Sequence, residues 1–367
     1  MASFDDCNES SNTTMPCRPR VSVQEMLKND KVLNISAPMV RYSKLAFRTL
    51  VRKYGCDVTF TPMIVSDSFI KSIKARDNEF STHKGDQPLI VQFAANNTKD
   101  FVTATELIAP FADGVDLNCG CPQRWAMANG FGANLIKHPE LVKDMVQQTR
   151  NKIQDEKFSV SIKIRLRHNL RDTLDLCQKA EHAGVSWITV HGRTTEQRTE
   201  PVNYEDIKII KENLSIPVIA NGDVKSLKDV NRVHELTKVD GVMAARGMLH
   251  NPAMYAGYEF TPLECIQDWV DISLQLGTQF QCFHHHLIQM MEHVTSKADK
   301  RIFNTLSNVP AVLDYLQEHY QVSYNPARFH HQLNKSQNMW KPEKINKHKP
   351  MLNVDDYNIG DTFISVV

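Results

Sequence analysis

The sequence has little net charge, no long apolar stretch and no dense array of cysteines. Its 43 lysines and arginines nearly balance its 42 aspartates and glutamates, so any polyanion must bind at a local patch. No apolar run approaches the roughly 18 residues that span a bilayer, and we expect no membrane association. The first twenty residues lack the apolar core of a signal peptide and are too acidic for a mitochondrial presequence. We therefore expect a cytoplasmic protein and leave the nucleus open as a second compartment.

The eight cysteines are scattered along the chain rather than arranged as a disulfide framework. Without a signal peptide, free thiols in a reducing compartment are the better interpretation. Cys119 and Cys121 form a C-x-C pair, but no second pair follows at the spacing of a zinc site. We expect no metal centre.

Eight short apolar runs, most of them rich in valine and isoleucine, alternate with amphipathic stretches. These runs predict strands at 32–39, 57–63, 88–94, 114–118, 160–164, 187–191, 217–221 and 240–245. Apolar spacing of three and four predicts helices at 45–55, 140–153, 173–184 and 204–214. Eight strand–helix units predict a parallel (β/α)8 barrel, the TIM barrel. The rival, a doubly wound open sheet, carries a glycine-rich turn after its first strand, where this chain has Ala37-Pro38-Met39.

The alternation stops after residue 250, and the spacing over 251–320 predicts three or four further helices. We expect four segments along the chain. They are a flexible N-terminal segment at 1–25, the barrel at 26–250, a small all-α domain at 251–325 and a polar, flexible tail at 326–367.

The predicted strands nearly all end in polar, reactive or turn-forming residues. In a TIM barrel the functional groups lie at the carboxyl ends of the strands. These residues are Ala37, Pro38, Met39, Gln92, Asn118, Cys121, Lys163, His191, Arg193, Asn221, Gly222, Asp223, Ala245 and Arg246. A purely structural barrel would not need them all at one end.

Three features among these strand ends point to chemistry. Cys121 lies between Gly120 and Pro122, which fix the backbone on both sides of the thiol. The last two strands end in Asn-Gly-Asp and Ala-Arg-Gly, where TIM barrels commonly bind a phosphate. Lys163 stands alone in an apolar strand, and a desolvated ammonium must meet an anion or a polar ligand. A flavin, whose N1–C2 edge becomes negative on reduction, would suit that lysine.

The motif D-x-N-x-G-C-P at 116–122, followed by G-x-G-A at 130–133, resembles the tRNA-dihydrouridine synthase family. The resemblance is to the eukaryotic branch that acts on positions 20a and 20b of the tRNA D-loop, and it covers roughly residues 30–320. It implies an FMN-binding barrel, a helical tRNA-binding domain, and NADPH or NADH as the reductant. We expect the protein to be a monomer.

The resemblance also implies roles for individual residues. Ala37, Pro38 and Met39 would cover the isoalloxazine, with Gln92 and Lys163 at its polar edge and His191 nearby. The ribityl phosphate would be held by Asn221, Gly222, Asp223, Ala245 and Arg246. Asn118 and Arg193 would contact the substrate, and Cys121 would donate a proton.

The implied reaction adds a hydride to C6 and a proton to C5 of a uridine that has left the base stack. A thiol is mostly protonated at cellular pH and can serve as the acid. Cys119 is the rival thiol, and we expect it to be a packing residue. Two other functions remain open, namely a dihydroorotate-dehydrogenase-like reductase of a small molecule and a non-catalytic RNA-binding relative.

The histidines at 284–286 invite a metal interpretation. Consecutive residues on a helix point about 100° apart, so three of them cannot converge on one ion. We expect a solvated stripe that partly faces tRNA, with Lys297, Lys300 and Arg301 further along the same helix.

Overall fold

Eight parallel strands close into a barrel in the computed structural model, which describes residues 20–29 and 31–328. The barrel strands are β1 (Leu33–Ser36), β2 (Val58–Phe60), β4 (Leu89–Ala94), β5 (Gly114–Cys119), β6 (Ser159–Arg165), β7 (Trp187–His191), β8 (Val218–Asn221) and β9 (Gly241–Ala244), and the two-residue β3 (Ile64–Val65) pairs beside β4. Pairing of β1 with β9 and of β2 with β4 closes the ring. The predicted TIM barrel is confirmed.

Helices connect the strands on the outside of the barrel. They are α1 (Val23–Leu27), α2 (Leu45–Lys53), α3 (Ser66–Lys71), α4 (Ile73–Glu79), α5 (Thr98–Ile108), α6 (Arg124–Ala128), α7 (Pro139–Lys152), α8 (Leu170–His182), α9 (Tyr204–Glu212), α10 (Leu227–Thr237) and α11 (Arg246–His250), with 3-10 turns at Gly132–Lys137 and Met254–Ala256. Asn97, Asn169, Asn203 and Ser226 each begin a helix by accepting a backbone N–H bond. The four barrel helices predicted from apolar spacing are all present.

The register of the strands decides which side chains meet at the barrel mouth. Asn118 on β5 is paired with Lys163 on β6, and His191 on β7 with Asn221 on β8. Side chains alternate along a strand, so residues paired across neighbouring strands share one face. The polar strand ends therefore gather at one rim of the barrel.

Residues 20–25, which were expected to belong to a flexible segment, are anchored to the barrel. Arg20 donates to the Ala112 and Ala109 carbonyls at 2.8 and 3.0 Å, and its guanidinium lies over the Phe158 ring. Val23 in α1 is fully buried. Contacts with residues far along the chain fix this segment, and local composition could not reveal them. Residues 1–19 lie outside the described part.

The chain after α11 is helical, as predicted. It forms α12 (Leu263–Gln275), α13 (Phe280–Met290), α14 (Lys297–Asn304) and α15 (Val309–Tyr320). Tyr54, at the end of α2, donates a 2.8 Å hydrogen bond to Asp268 on α12. One continuous hydrophobic core includes residues of both the barrel and these helices. The domain boundary at residue 250 stays a prediction, and nearly all of the predicted tail, 329–367, lies outside the described residues.

The expectation of a solvated histidine stripe is wrong. His284 and His286 are buried, and their Nε2 atoms bond the carbonyls of Phe303 and Tyr42 at 2.9 and 3.2 Å. Only His285 of the three is exposed. Helix α13 packs against α11 and α12 and also against α14 and α15, so two of its faces are covered. Lys297 begins α14, so the basic residues do not lie on the same helix as the histidines.

No helix within residues 20–29 and 31–328 is both long and apolar enough to cross a membrane.

Candidate active site

The Cys121 thiol sits on a loop that two kinds of contact hold in place. Asn118 Oδ1 accepts hydrogen bonds from the backbone N–H of Cys121 at 2.9 Å and of Gly120 at 3.2 Å. The Cys121 carbonyl accepts a bond from Ala133 at 3.0 Å. Gly132 has φ of +61°, and a Cβ there would lie 2.6 Å from the Cys121 carbonyl oxygen. The second glycine cluster of the motif thus allows a neighbouring segment to close over the thiol loop.

The surroundings of Cys121 keep its thiol protonated. Cys121 packs against a small apolar cluster that includes Met63, Ala126 and Phe131. Burial raises the pKa of the Cys121 thiol, although Arg165 and Lys163 act in the opposite direction. A protonated thiol that is still partly exposed can serve as a proton donor.

Cys119 is fully buried, and burial raises its pKa well above the ordinary value. It faces the core as a packing residue, as the sequence predicted.

A buried polar chain lies behind the thiol loop. Asp116 accepts hydrogen bonds from Gln92 Nε2 at 2.7 Å and from Ser161 Oγ at 2.6 Å. Asn118 Nδ2 donates to Gln92 Oε1 at 2.8 Å. The chain therefore runs from Asp116 through Gln92 and Asn118 to the backbone of Cys121. Burial raises the pKa of Asp116 to about 6 despite these hydrogen bonds.

Asp116 and Ser161 also belong to this site, although neither was predicted as a site residue. The signal was present, because both are polar residues inside apolar strands and they are directly paired. Gln92 is fully buried and uses both of its polar atoms in the chain. Its contact with a flavin edge stays a prediction.

Lys163 lies next to Asn118 on the rim, because the two residues are paired across β5 and β6. Its Nζ donates to Asn221 Oδ1 at 2.9 Å, and Asn221 Nδ2 donates to the Met243 carbonyl at 2.8 Å. Burial, together with the nearby Arg165, lowers the pKa of Lys163 to about 8. A bound anionic ligand would stabilise the charged form of Lys163.

His191 carries a buried Nε2 atom that finds no hydrogen-bond partner among the described residues. Burial, with Lys163, Arg165, Arg193 and Arg246 nearby, lowers the pKa of His191 to about 2. The ring is therefore neutral at physiological pH. A buried polar atom without a partner is costly, so this nitrogen points to a missing ligand.

The predicted phosphate-binding residues are brought together. Asp223 binds Arg193 directly and lies 3.7 Å from the Arg246 guanidinium. Gly222 has φ of +127°, and a Cβ there would come within 3.1 Å of His191 Cδ2. Ala245 immediately precedes α11, and Arg246 is half-exposed.

Arg193 is buried and donates to the Glu200 carbonyl and to Asp223. In the structure it positions Asp223, and its contact with substrate stays a prediction. Arg165, for which no role was predicted, donates to the Thr194 carbonyl at 2.8 Å and places a second cation beside Lys163.

The three residues after β1 close one side of the mouth. The Ala37 N–H donates to the Ala244 carbonyl, and the Met39 N–H donates to Ser43 Oγ at 2.9 Å. Ala37 and Met39 are buried, whereas Pro38 is partly exposed. Their contact with a flavin stays a prediction.

The fold and the site define a TIM-barrel enzyme whose rim combines a protonated thiol with a cluster of cations. The profile of the family described as Dihydrouridine synthase (Dus) matches residues 35–347. The chain therefore belongs to the dihydrouridine synthase family.

Relatives of known name cover most of the chain. A human protein named tRNA-dihydrouridine(20a/20b) synthase [NAD(P)+]-like is 62% identical over 298 residues, which are 81% of this chain and 94% of that protein. The tRNA-dihydrouridine(20a/20b) synthase [NAD(P)+] of Schizosaccharomyces pombe is 41% identical over 303 residues, 82% of this chain and 92% of that protein. Among solved structures, the old yellow enzyme of Trypanosoma cruzi aligns with a TM-score of 0.44 at 11% identity, covering 60% of this chain and 85% of that one.

Proposed function

We propose that this protein is a flavin-dependent tRNA-dihydrouridine synthase that reduces the C5–C6 double bond of a D-loop uridine at position 20a or 20b. The reductant is NADPH or NADH. The observation that carries the proposal is the protonated Cys121 thiol, which Asn118 holds on the same rim as Lys163 and as His191, whose Nε2 has no hydrogen-bond partner in the described part of the chain. Family membership and the names of the relatives support the same reaction.

FMN fits the residues at the barrel mouth. Its dianionic phosphate and its polar ring edge suit a rim on which Lys163, Arg165 and Arg246 outnumber the carboxylate of Asp223. The buried Nε2 of His191 offers a further contact for a ligand. In this proposal Ala37, Pro38, Met39, Gln92, Lys163 and His191 contact the ring system, and Asn221, Gly222, Asp223, Ala245 and Arg246 surround the phosphate. When bound, reduced FMN supplies the hydride that C6 of uracil receives.

Cys121 supplies the proton for C5. Its thiol S–H bond breaks as the new C5–H bond forms, and the electron pair of the S–H bond remains on sulfur. Lys163 and Arg165 then lie close enough to stabilise the thiolate, since both lower the pKa of Cys121. The partial exposure of Cys121 allows solvent to return the proton.

The target base must leave the tRNA stack to meet the thiol. We assign Asn118 and Arg193 to the substrate side of the site and the C-terminal helices to the tRNA. On α14, Lys297 and Arg301 are exposed and Lys300 is partly exposed, so they can meet phosphates.

The decisive experiment incubates the purified holoenzyme with NADPH and an unmodified tRNA transcript and maps dihydrouridine at single-nucleotide resolution. We expect dihydrouridine at 20a or 20b and NADPH oxidation in equal amounts. Oxidation supported by orotate or a small enone but not by tRNA would instead identify a small-molecule reductase. Binding of tRNA without reduction would identify a non-catalytic relative.

A further inference from the structure

Three side chains with metal-ligand atoms converge where the last barrel loop meets the turn after α13. His250 ends α11, and Glu292 and His293 follow α13. One ligand atom from each of the three lies within 4.8 Å of the other two. His250 Nδ1 is 2.8 Å from Glu292 Oε2, and the two imidazole rings have centroids 5.7 Å apart. His250 lies 42 positions before Glu292 in the sequence, so the spacing gave no sign of the cluster.

The local backbone explains how two neighbouring residues can face one point. Helix α13 ends at Met290, and Glu292 and His293 lie in the turn that follows. In that turn the N–H of Glu292 bonds the Gln289 carbonyl. The roughly 100° divergence between neighbouring helical side chains does not apply in a turn. On the other side, Thr261 donates to the His250 carbonyl at 2.7 Å and fixes the end of α11.

We propose that His250, Glu292 and His293 form a divalent-metal site that takes Zn²⁺. Two imidazoles and one carboxylate form a ligand set that zinc accepts, whereas Mg²⁺ and Ca²⁺ prefer oxygen ligands throughout. Three protein ligands leave a fourth, tetrahedral position for water.

The geometry is close to what zinc requires. Ligand atoms about 2.0–2.2 Å from a tetrahedral ion lie roughly 3.3–3.5 Å from one another. The separations here run from 2.8 Å to at most 4.8 Å, so shifts of about 1 Å would complete the site. Glu292 and His293 are exposed and His250 is half-exposed, so their side chains can make that adjustment.

A metal here would join the end of the barrel to the C-terminal helices. His250 is the last residue of α11, the short helix after the last barrel strand, and Glu292 and His293 lie between α13 and α14. Binding would therefore restrain the orientation of α13 and α14 relative to the barrel. This inference does not depend on the proposed reaction, since it rests on side chains other than those of the rim.

The test uses the full chain with any purification tag removed and metal stripped by a chelator. Zn²⁺ binding is measured by titration calorimetry, and Co²⁺ is added separately as a spectroscopic probe of tetrahedral coordination. The variants are His250→Ala, Glu292→Gln and His293→Gln. The matched control is His285→Gln, because His285 is an exposed histidine on α13 outside the cluster.

We expect the wild type and the His285→Gln control to bind one more equivalent of Zn²⁺ than the His250→Ala and His293→Gln variants. Loss of any one ligand should weaken binding by at least about tenfold, since even outer-shell partners contribute about 10- to 100-fold to metal affinity. Zinc should also raise the Tm of the wild type more than that of the variants. Because Glu292 is exposed, Glu292→Gln should fold normally. This variant keeps the test decisive even if His250→Ala fails to fold. Equal stoichiometry and affinity in all five proteins would mean that His250 and Glu292 form a close pair without a metal, and the proposal would be overturned.

Discussion

Lys163 Nζ donates a 2.9 Å hydrogen bond to Asn221 Oδ1 and so links β6 to β8 across the barrel mouth. The partner is a neutral amide, and Arg165 beside it adds like charge, so the ammonium is poorly compensated. Burial and the charge of Arg165 together lower the pKa of Lys163 to about 8. Lys163 is thus prepared to receive an anion, and this sets the pH dependence of ligand binding.

Flavin affinity should fall as pH rises through about 8. A lysine that is charged below its pKa of about 8 stabilises a bound anion there, and this stabilisation is lost as the lysine deprotonates. Fluorescence titration of the apoprotein with FMN would measure the effect. The titrations should cover a range of about three pH units, from about 6.5 to about 9.5, which brackets the pKa of Lys163. Lys163→Met should bind FMN about 10- to 100-fold more weakly at pH 7 and with little dependence on pH. The exposed Lys157→Met variant is the control, and a flat wild-type profile would contradict the assignment.

Cys121→Ala should retain the flavin and lose dihydrouridine formation by about 10²- to 10⁴-fold, because general acid catalysis contributes on that scale. The matched control is Cys119→Ala, which removes a buried thiol two residues away and should remain active. Single-turnover reduction of unmodified tRNA measures both variants. Full activity in Cys121→Ala, or a loss of activity confined to Cys119→Ala, would mean that Cys121 is not the proton donor.

Arg246→Ala should reduce the amount of flavin that copurifies after gel filtration. The guanidinium is the exposed cation beside Asp223 at the predicted phosphate position, and charge-assisted bonds to phosphate are strong. Arg232→Ala removes an exposed arginine of α10 that pairs with Asp229, and it should leave flavin content unchanged. The same flavin content in both variants would show that the phosphate lies elsewhere.

Asp116→Ala should disturb the thiol loop without contacting it. The substitution leaves Gln92 Nε2 without its acceptor and Ser161 Oγ with only the Val115 carbonyl at 3.5 Å, at a cost of about 1–3 kcal/mol in the free energy of unfolding. Because Gln92 also holds Asn118, the pH profile of Cys121 alkylation should shift as well. Ser161→Ala removes one bond of the chain and should change that profile less. An unaltered alkylation profile in Asp116→Ala would mean that the polar chain does not position Cys121.

Gly132→Ala should lower the free energy of unfolding by more than the strain of a left-handed backbone accounts for. A Cβ at Gly132 would lie 2.6 Å from the Cys121 carbonyl oxygen, whereas Gly257, also at positive φ, has nothing within 4 Å. Gly257→Ala therefore isolates the backbone strain of about 1–2 kcal/mol. Chemical denaturation should show a larger loss for Gly132→Ala, together with reduced tRNA reduction. Equal losses with full activity would mean that closure over the thiol loop is unimportant.

Local patterns in the sequence were sufficient for the fold. Valine-rich runs separated by amphipathic stretches predicted each barrel strand, because a strand buried on both faces requires a continuous apolar run. The thiol was also visible, since Gly120 and Pro122 constrain the backbone around it whatever the rest of the chain does. The sequence also placed Lys163 and Asn221 at strand ends on one rim, and the structure shows that they bond each other there.

The tertiary structure alone decided which polar atoms find partners. The burial of His284 and His286 depends on α13 being covered from two sides, and apolar spacing along one helix cannot show this. Arg193 bonds Asp223, which lies 30 residues further along the chain, and its contact with substrate stays a prediction. The sequence by itself determined the barrel and the residues at its mouth, since both follow from local periodicity and chain order. The tertiary structure decided which of those residues bond one another and which polar atoms are left for a ligand, because both depend on strand register and on packing between residues distant in sequence.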